Sequence, residues 1–475
     1  MGSAMKDRDG TVPAVTPPLD PGFRPAVLEN RTFRAAVAAS GRALPLALVF
    51  DRGDAGVSRF DTEVFDARTP AESAWNLRYA ERLVKSLLWA RGARRVIVGG
   101  PPAIAKHIGE AYGPGGARAF DAAMASRIYA APFTVEHCAA SEAPPARERP
   151  LRLGGHLDGC RVGFDLGASD RKCCAVRDGE VLFSEEVPWD PKVQKDPRYH
   201  IDGIADSIAR AAAHLPRVEA IGGSAAGAYV DNEPRVASLF MSVPDDVFDR
   251  EVRPVFARLR ERWGGVPFEV LNDGDVTALA GSLSLGETPL LGIAMGSSEA
   301  AGYVNRDGAF LGWNNELAFV PVDLQPDAPV DPWSGDRGCG AQYFCQEGVA
   351  RLAAPAGIRL DPEAHRAEQL VTVQQRMDAE DPGARAIYET IGTWFGYANA
   401  HYADFYEIRR LLLLGRVTSG PGGVLIRDTA IRVLEAEFPE LAAQVTLSLP
   451  DEKSRRVGQS IAAASLPELR GEDGA

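Results

Sequence analysis

The segment that most constrains this chain is Arg161–Val181, which predicts a β-hairpin followed by a third strand. Val162–Phe164 is a short apolar run, and Lys172–Arg177 is a second one. Asp178-Gly179 is a typical turn dipeptide, and it leads into a third run at Glu180–Phe183. Three consecutive strands therefore begin a sheet at this point.

The turn between the first two strands carries polar residues that could contact phosphate. Asp165 closes the first strand, Gly167 follows two residues later, and Ser169 and Lys172 come next. Glycine lets the backbone turn with its N–H groups pointing into one concavity, which can cradle phosphate oxygens. Asp165 could hold Mg²⁺ through water, because Mg²⁺ prefers a few oxygen ligands beside substrate phosphates. An ordinary hairpin with a solvated polar tip accounts for the same residues.

Length and composition set broad limits on the kind of protein. A chain of 475 residues is too long for one ordinary core and predicts two or three domains. The net charge of −13 and the absence of a basic patch argue against a nucleic-acid partner, and no apolar run is long enough to span a bilayer. Six cysteines do not make a disulfide framework in so long a chain, so we expect a reduced, cytoplasmic protein.

A second candidate site lies where a predicted strand runs directly into a predicted helix. The strand Phe268–Leu271 ends in Asn272-Asp273-Gly-Asp275, and the helix Val276–Leu283 follows. Short polar side chains at a strand end, facing the start of a helix, could bind and activate a hydroxyl group. An Asx turn with Asp275 as the helix N-cap is the structural alternative.

Two further turns marked by glycine follow strand-like runs. Gly296-Ser297-Ser298 joins the predicted strands Leu291–Met295 and Ala300–Val304, and such a tip is suited to contact phosphate. Gly415 follows the all-leucine run Leu411–Leu414, and its glycine-rich loop could let a flat ring lie against the backbone. Turns of this kind also occur without ligands, so neither is specific alone.

The three turns and the strand end, in this order, resemble the actin-like ATPase and sugar-kinase superfamily. Within it the sequence is similar to the ROK family (repressor, open reading frame, kinase) over about Arg161 to Pro467. The matching segments are Asp165–Ser169 for Asp-x-Gly-Gly-Thr, Asn272–Gly281 for Asn-Asp-x-Asn-x-x-Ala-x-Gly/Ala, Gly296–Ser298 for Gly-Thr-Gly, Asn315–Phe319 for Gly-Glu-x-Gly-His, and Leu414–Ser419 for Leu-Gly-Gly-x-x-Ser.

The resemblance implies two α/β lobes of ribonuclease H-like fold with ATP and substrate in the cleft between them. It implies ATP-dependent phosphorylation of a hydroxyl of a sugar or sugar-like polyol, with Mg²⁺ as cofactor and a homodimer as the assembly. The roles it implies are: Asp273 as base; Asn272, Ser224, Asp275 and Glu316 as ligands of the acceptor; Asp165 as the Mg²⁺ partner; Gly167, Ser169, Lys172, Gly296, Ser297 and Ser298 around the phosphates; and Gly415, Arg416 and Ser419 beside the adenosine.

The sequence also departs from the family pattern in its acceptor and zinc segments. The family's sugar-gripping histidine corresponds to Phe319, and only Cys339 and Cys345 stand in the region of the family's Cys-x-Cys-Gly-x-x-Gly-Cys zinc cluster. Two thiols do not complete the four-ligand shell of structural zinc, so we expect no zinc and a pocket that does not suit glucose.

Two other functions stay open at this point. One is a non-catalytic sugar or metabolite sensor or regulator, because the family includes repressors; the other is a different ATP-cleaving reaction. The family's repressors carry an amino-terminal DNA-binding helix-turn-helix. The amino-terminal part of this chain begins with predicted strands and is not strongly basic, which counts against that version.

The predicted parts of the chain follow from the resemblance and from a linker-like composition at residues 141–152. They are a flexible leader whose start resembles an expression tag (1–25), an accessory α/β domain (26–150), the first lobe (158–285), the second lobe with the adenosine turn (286–450), and a helix returning to the first lobe, with a tail (451–475).

The accessory domain shows weak internal similarity to the first lobe. Leu48–Gly53 echoes Val162–Gly167, and Arg95–Ala103 echoes Arg217–Ala225. We therefore hypothesise that about Ala26 to Ala140 is a degenerate copy of the first lobe, with His137-Cys138 in place of the Asn-Asp pair. Coincidence among short glycine and valine patterns is the alternative.

Overall fold

The structure is a computed structural model that describes residues 12–450 and 452–469, without the side chains of residues 452–457. It contains an N-terminal block and two lobes, each built on its own sheet. Within these residues no helix is both long enough and apolar enough to cross a membrane.

The N-terminal block is a mixed sheet of order β4-β3-β1-β2-β5 with four helices. Its longest helix, α2, begins with a capping box between Thr69 and Glu72, which satisfies two backbone N–H groups at the helix start. The elements are α1 Ala26–Ala39, β1 Ala43–Asp51, β2 Gly56–Phe65, α2 Pro70–Arg91, β3 Arg95–Gly99, α3 Pro102–Ala111, α4 Ala119–Tyr129, β4 Thr134–Cys138 and β5 Arg147–Glu148.

The first lobe is a five-stranded sheet of order β12-β9-β6-β7-β8 with a separate hairpin, β10-β11. The hairpin and third strand predicted from Arg161–Val181 are confirmed as β6, β7 and β8. The elements are β6 Cys160–Leu166, β7 Asp170–Arg177, β8 Glu180–Pro188, α5 Pro197–Ala212, β9 Ala220–Ala225, β10 Ala228–Val230, β11 Glu233–Val236, α6 Asp245–Val247, α7 Val255–Arg262, β12 Phe268–Asn272 and α8 Asp273–Leu285.

One helix of this lobe differs from the sequence prediction. The sequence predicts a single helix from Asp246 to Trp263, but the structure has α6, a π-helical stretch at Phe248–Val252, and then α7. Pro254 lies at the break. Proline lacks an N–H group and clashes with the preceding turn, so a continuous α-helix through this residue is strongly disfavoured.

The second lobe is a four-stranded sheet of order β14-β13-β15-β16. Its helix α11 is buried along most of its length and forms the centre of the largest apolar core. The elements are β13 Leu290–Met295, β14 Glu299–Val304, α9 Gln346–Ala353, α10 Arg366–Asp378, α11 Pro382–Tyr402, β15 Arg410–Leu414, α12 Gly420–Glu437, α13 Pro439–Ala442 and β16 Thr446–Ser448. The last helix, α14 Glu452–Ala464, packs on the first lobe against β6, β9 and α8.

Strand directions contradict the hypothesis that the N-terminal block copies the first lobe. The strand orders agree, but β1 pairs antiparallel with β3, whereas β6 pairs parallel with β9. The first lobe has three strands before its first crossover helix, and the N-terminal block has two. The chain therefore leaves the block's sheet at the opposite end, and the next strand returns in the opposite direction.

The described part of the expected flexible leader is packed. Phe23 is 2% exposed and contacts the rings of Tyr343, Trp394 and Tyr397, the last two on α11. The Trp394 indole N–H donates to Asp20 at 3.1 Å. Burial of this aromatic ring holds the segment on the second lobe. Residues 1–11 lie outside the described residues.

Candidate active site

Three strand ends of the first lobe bring Asp165, Ser224 and Asn272 to one edge of the sheet. Asp165 lies opposite Ser224, and Ala225 lies opposite Asn272, in two parallel pairings. The Ser224 hydroxyl donates to Asp165 Oδ1 at 2.7 Å. Because parallel strands end at the same edge, residues far apart in sequence form one polar row.

Asp165 is buried beside a single lysine. Lys172 is its cross-strand partner, with Nζ at 3.9 Å from Asp165 Oδ2 and at 3.1 Å from Asp170 Oδ1. Burial raises the pKa of Asp165, and the positive charge of Lys172 opposes that rise. Burial lowers the pKa of Lys172, but the two carboxylates raise it by more. The pKa is therefore above its ordinary value, and the lysine is a cation at neutral pH.

The predicted phosphate turn between β6 and β7 is held by its own hydrogen bonds. The Gly167 N–H donates to the Asp170 carbonyl at 2.9 Å, and the Trp189 indole N–H donates to the Gly167 carbonyl at 2.8 Å. The Ser169 hydroxyl donates to Asp170 Oδ2 at 3.0 Å. These three hydrogen bonds hold the turn in place.

Asn272 caps helix α8, and this differs from the Asx turn with Asp275 as cap. Asn272 Oδ1 accepts from the Gly274 N–H at 2.7 Å, and Nδ2 donates to the Gly227 carbonyl at 2.7 Å. Asparagine is among the best N-cap residues because its side chain satisfies a free N–H of the first turn. Within the part of the chain that the structure describes, the bond to the Gly227 carbonyl uses one of the two amide hydrogens of Asn272, and the other is available for a substrate oxygen.

Asp273 is the first residue of α8 and lies in the cleft, partly buried. Its carboxylate accepts from the Gly274 N–H at 2.9 Å. Burial, with the nearby charge of Asp165, raises the pKa of Asp273 to about 6. A base is most effective when its pKa lies near the working pH, so this carboxylate is well suited to take a proton at neutral pH.

Asp275 and Glu316 share the cleft with Asp273. Asp275 Oδ1 accepts from Asn315 Nδ2 at 2.8 Å and from the Tyr303 N–H at 3.4 Å. Burial raises the pKa of Asp275 to about 7, and it raises the pKa of Glu316 to about 7 with help from the two aspartates. Because Asn315 bonds to Asp275, the next residue of the second lobe, Glu316, lies near the carboxylates of the first.

The second-lobe turns lie side by side at the ends of two parallel strands. Ala294 of β13 pairs with Leu414 of β15, so Gly296 and Gly415 follow neighbouring strand ends. Gly415 has a φ of +92°, and a Cβ there would lie 2.3 Å from the Met295 carbonyl oxygen. Only glycine permits this close approach. The predicted phosphate and adenosine turns therefore form one surface.

The other predicted nucleotide residues are found at these turns. The Ser298 hydroxyl lies at 3.4 Å from the Glu299 carbonyl, and Ser297 is at the tip between β13 and β14. The Arg416 carbonyl accepts from Gln374 Nε2 at 2.8 Å, and Ser419 directly precedes α12. The structure thus groups these residues, while their contacts with a nucleotide remain predictions.

Sequence reasoning missed Gln459, which α14 brings back to the first lobe. Its Nε2 donates to the Ser224 hydroxyl at 3.1 Å and to the Asp273 carbonyl at 3.2 Å. Tyr229 of β10 is also close enough to Asp273 for that carboxylate to raise the pKa of the phenol. No local signal marks Gln459, because its role depends on helix α14 crossing the sheet.

The segment that resembles the family's zinc cluster contacts the N-terminal block, where Asp336 lies 3.2 Å from Lys85 of α2. Cys339 and Cys345 are buried, and burial raises their pKa values to about 12 and about 11, which disfavours the thiolates that zinc requires. The ring of Phe319 stacks on Trp89 with centroids 4.2 Å apart. Among residues 12–450 and 452–469, no group of three or more His, Cys, Asp or Glu side chains could hold a metal ion.

For Mg²⁺, one carboxylate and nucleotide oxygens would suffice, and Asp165 fits such a site. Its carboxylate lies at a strand end, where Ser224 donates to Oδ1 and the positive charge of Lys172 lies 3.9 Å from Oδ2. Mg²⁺ keeps several waters and usually takes one or two protein carboxylates beside substrate phosphates.

No family model matches the sequence, and no curated protein matches it in sequence. The structure is similar to that of a ROK family transcriptional regulator, a homologue of the E. coli MLC protein, with a TM-score of 0.50 and 17% identity over 68% of this chain and 81% of that one. It is also similar to a ROK hexokinase from Thermus thermophilus, with a TM-score of 0.49 and 20% identity over 64% of this chain and 97% of that one. A ROK glucokinase from Streptomyces griseus, solved with glucose and AMPPNP, has a TM-score of 0.47 and 19% identity over 64% of this chain and 99% of that one.

The class defined by the fold is therefore the two-lobed, actin-like α/β proteins. The ROK proteins are its structural neighbours, and they include both kinases and a regulator. Identities of this size show the fold alone. The activity of this chain has to be argued from its own site.

Proposed function

We propose that this protein is an ATP-dependent phosphotransferase that acts on a hydroxyl group of a sugar or sugar-like polyol. The observation that carries the proposal is Asp273, a cleft carboxylate whose pKa is raised to about 6, at the edge of the sheet that also presents Asp165. Phosphoryl transfer requires mainly positioning, neutralisation of charge and a base for the attacking hydroxyl.

Each step has residues suited to it. Glu316, Asp275 and the free amide hydrogen of Asn272 would hold the acceptor hydroxyls. Asp273 would take the proton of the attacking substrate hydroxyl. The oxygen of that hydroxyl would bond to the γ-phosphorus of ATP, and the bond from this phosphorus to the oxygen that leaves with ADP would break. The turns at Gly167 and Gly296 would hold the phosphates with Lys172. Mg²⁺ bound near Asp165 would neutralise charge on the phosphates.

A non-catalytic sugar or metabolite sensor is the second candidate. The observation that favours it is Phe319, which stands where the family has its sugar-gripping histidine, is 7% exposed and stacks on Trp89, so it offers no hydrogen bond to orient an acceptor for phosphate transfer. The expected homodimer, the cytoplasmic location and the absence of a nucleic-acid partner follow from sequence reasoning and remain predictions.

A thermal-shift screen followed by an activity assay separates the two candidates. Sugars, amino sugars and cyclitols would be tested with and without Mg²⁺ and a non-hydrolysable ATP analogue, because a ligand that binds the native state raises the melting temperature. The kinase proposal expects one acceptor class that stabilises the protein and is phosphorylated with ATP. Stabilisation by a sugar, with no nucleotide binding at millimolar concentration, would support the sensor.

A further inference from the structure

The N-terminal block contacts both lobes close to the carboxylates Asp273, Asp275 and Glu316. Its helix α4 packs against the first-lobe hairpin β10-β11, and Arg127 of α4 lies 3.0 Å from Asp245. Its helix α2 meets the second lobe, where Lys85 lies 3.2 Å and Arg82 3.0 Å from Asp336. Hairpin β10-β11 carries Tyr229, which lies beside Asp273. The block therefore adjoins the site from two directions.

The last turn of α2 binds the backbone that carries Glu316. The Asn315 N–H donates to the Ala90 carbonyl at 2.9 Å, and the Glu316 N–H donates to the Trp89 carbonyl at 3.1 Å. The final carbonyls of a helix have no donor within the helix, so they are available for such bonds. The stack of Trp89 on Phe319 holds the other end of the same segment.

Asn315 connects this turn to Asp275. It has a left-handed backbone conformation, with a φ of +53°, and is 4% exposed. Its Nδ2 donates to Asp275 Oδ1 at 2.8 Å, and its Oδ1 accepts from the Tyr406 hydroxyl at 3.1 Å. Both ends of the amide are therefore engaged, which fixes the direction of the Asp275 carboxylate.

We propose that Asn315 is a positioning residue for Asp275, and that the last turn of α2 positions Asn315 and Glu316, so that the N-terminal block is a working part of the acceptor site. The catalytic meaning of this inference rests on the proposed function. The positioning itself can be measured without acceptor or nucleotide. Failure of the positioning inference can therefore be distinguished from failure of the proposed phosphotransferase activity.

The titration of Asp275 provides a direct readout. Four groups face Asp275: Asp273 on its own helix, Glu316 on the second-lobe turn, Tyr303 on β14 and Tyr406 after α11. Arg91 of α2 lies beside the two tyrosines. Burial raises the pKa of Asp275 to about 7, and the Asn315 amide opposes that rise. A carboxyl group whose pKa is raised by folding favours the folded state at low pH. That contribution is lost as the pH rises from the unfolded value toward 7.

Asn315→Gly tests the first half of the proposal in the full chain. Glycine keeps the left-handed backbone but has no side chain, so the hydrogen bond from Asn315 to Asp275 is lost and the pKa of Asp275 should rise further. The melting temperature of Asn315→Gly should fall more at pH 8 than at pH 5, by an extra amount on the order of 2 °C. Glu380→Gly is the matched control, because Glu380 has a φ of +58° and is exposed; its effect should be equal at both pH values.

The same comparison in an Asp275→Asn background completes this test. With no carboxyl group at position 275, Asn315→Gly should have no extra effect at pH 8. An equal effect of Asn315→Gly at both pH values, or an extra loss at pH 8 that persists in the Asp275→Asn background, would overturn the assignment of Asn315.

Hydrogen exchange tests the role of α2. Trp89→Leu removes the stack on Phe319 and should increase amide exchange of residues 315–319 by roughly tenfold or more, because the N–H groups of Asn315 and Glu316 donate to this turn. Trp75→Leu, in the same helix, removes contacts with Phe33 and Phe65 inside the block and should leave that segment protected. Phe319→Leu removes the other ring of the same stack, and it replaces Trp89→Leu in this experiment if Trp89→Leu does not fold. Unchanged protection in the folded variant would contradict the proposal.

Discussion

Gly274 and Gly302 bring the start of helix α8 into backbone contact with strand β14. A Cβ built on Gly302 would lie 2.0 Å from the Gly274 carbonyl oxygen, and one on Gly274 would lie 2.1 Å from the Ala301 carbonyl oxygen. These distances are far below van der Waals contact. The pair therefore sets how closely the helix that carries Asp273 and Asp275 approaches the second lobe.

Gly302→Ala should therefore displace the start of α8 and reduce phosphotransfer by at least tenfold, because small misplacements of reacting groups are costly. The measurement is kcat/KM with the acceptor found by screening, together with a circular dichroism spectrum. Gly109→Ala is the control, since a Cβ there meets nothing within 4 Å and Gly109 lies in helix α3. Normal activity of Gly302→Ala would show that this contact does not position the site.

Asp273→Asn should lower kcat by about 10²- to 10⁴-fold and leave acceptor binding nearly unchanged, because the amide cannot take the hydroxyl proton. Steady-state kinetics and calorimetric titration measure the two effects separately. The exposed Asp54→Asn is the control and should have normal kinetics. Near-normal turnover of Asp273→Asn would exclude this residue as the base.

The pH dependence of kcat/KM should have an acidic limb with an apparent pKa of about 6. Below this pH Asp273 is protonated and cannot act as a base, so the rate falls as the pH is lowered. The Asp165 charge contributes to the raised pKa of Asp273, so Asp165→Asn should shift the limb to lower pH in the activity that remains. A limb that does not move would show that the two carboxylates are not coupled.

Glu299→Gln should stabilise the protein at high pH. Glu299 is 3% exposed, accepts from Tyr402 at 3.3 Å, and has one oxygen without a partner. Burial raises its pKa to about 8, so its contribution to stability is lost as the pH rises from about 4.5 to 8. The gain in melting temperature from Glu299→Gln should be larger at pH 9 than at pH 5. The exposed Glu363→Gln should show no such difference.

Purified protein should contain no stoichiometric zinc. Elemental analysis measures this directly. Phe319 occupies the position of the family's histidine and cannot bind a metal. Burial keeps the thiols of Cys339 and Cys345 protonated, whereas zinc binds thiolates. One zinc per chain, retained after dialysis against a chelator, would contradict this prediction.

Local patterns were sufficient to predict most strands and the positions of the glycine turns. The alternation that predicts β6 to β8 and the strand-to-helix change at Asn272-Asp273 depend on residues within a few positions of each other. The sequence could also place Asp165, Ser224 and Asn272 at strand ends. Parallel pairing then brings strand ends to one edge, so the grouping of these three residues needs little further information.

The antiparallel pairing of β1 with β3, the buried helix α11 and the approach of α2 to Glu316 were decided by tertiary structure alone. Helix α11 is buried on every side from Thr390 to Tyr402, polar residues such as Asn399 included, so the apolar pattern of its sequence does not reveal that it is fully enclosed. The bonds from Asn315 to Ala90 and Asp275 join three segments that lie far apart in the chain. Such contacts exist only after the cores have packed, because no local preference of any one segment selects its partner.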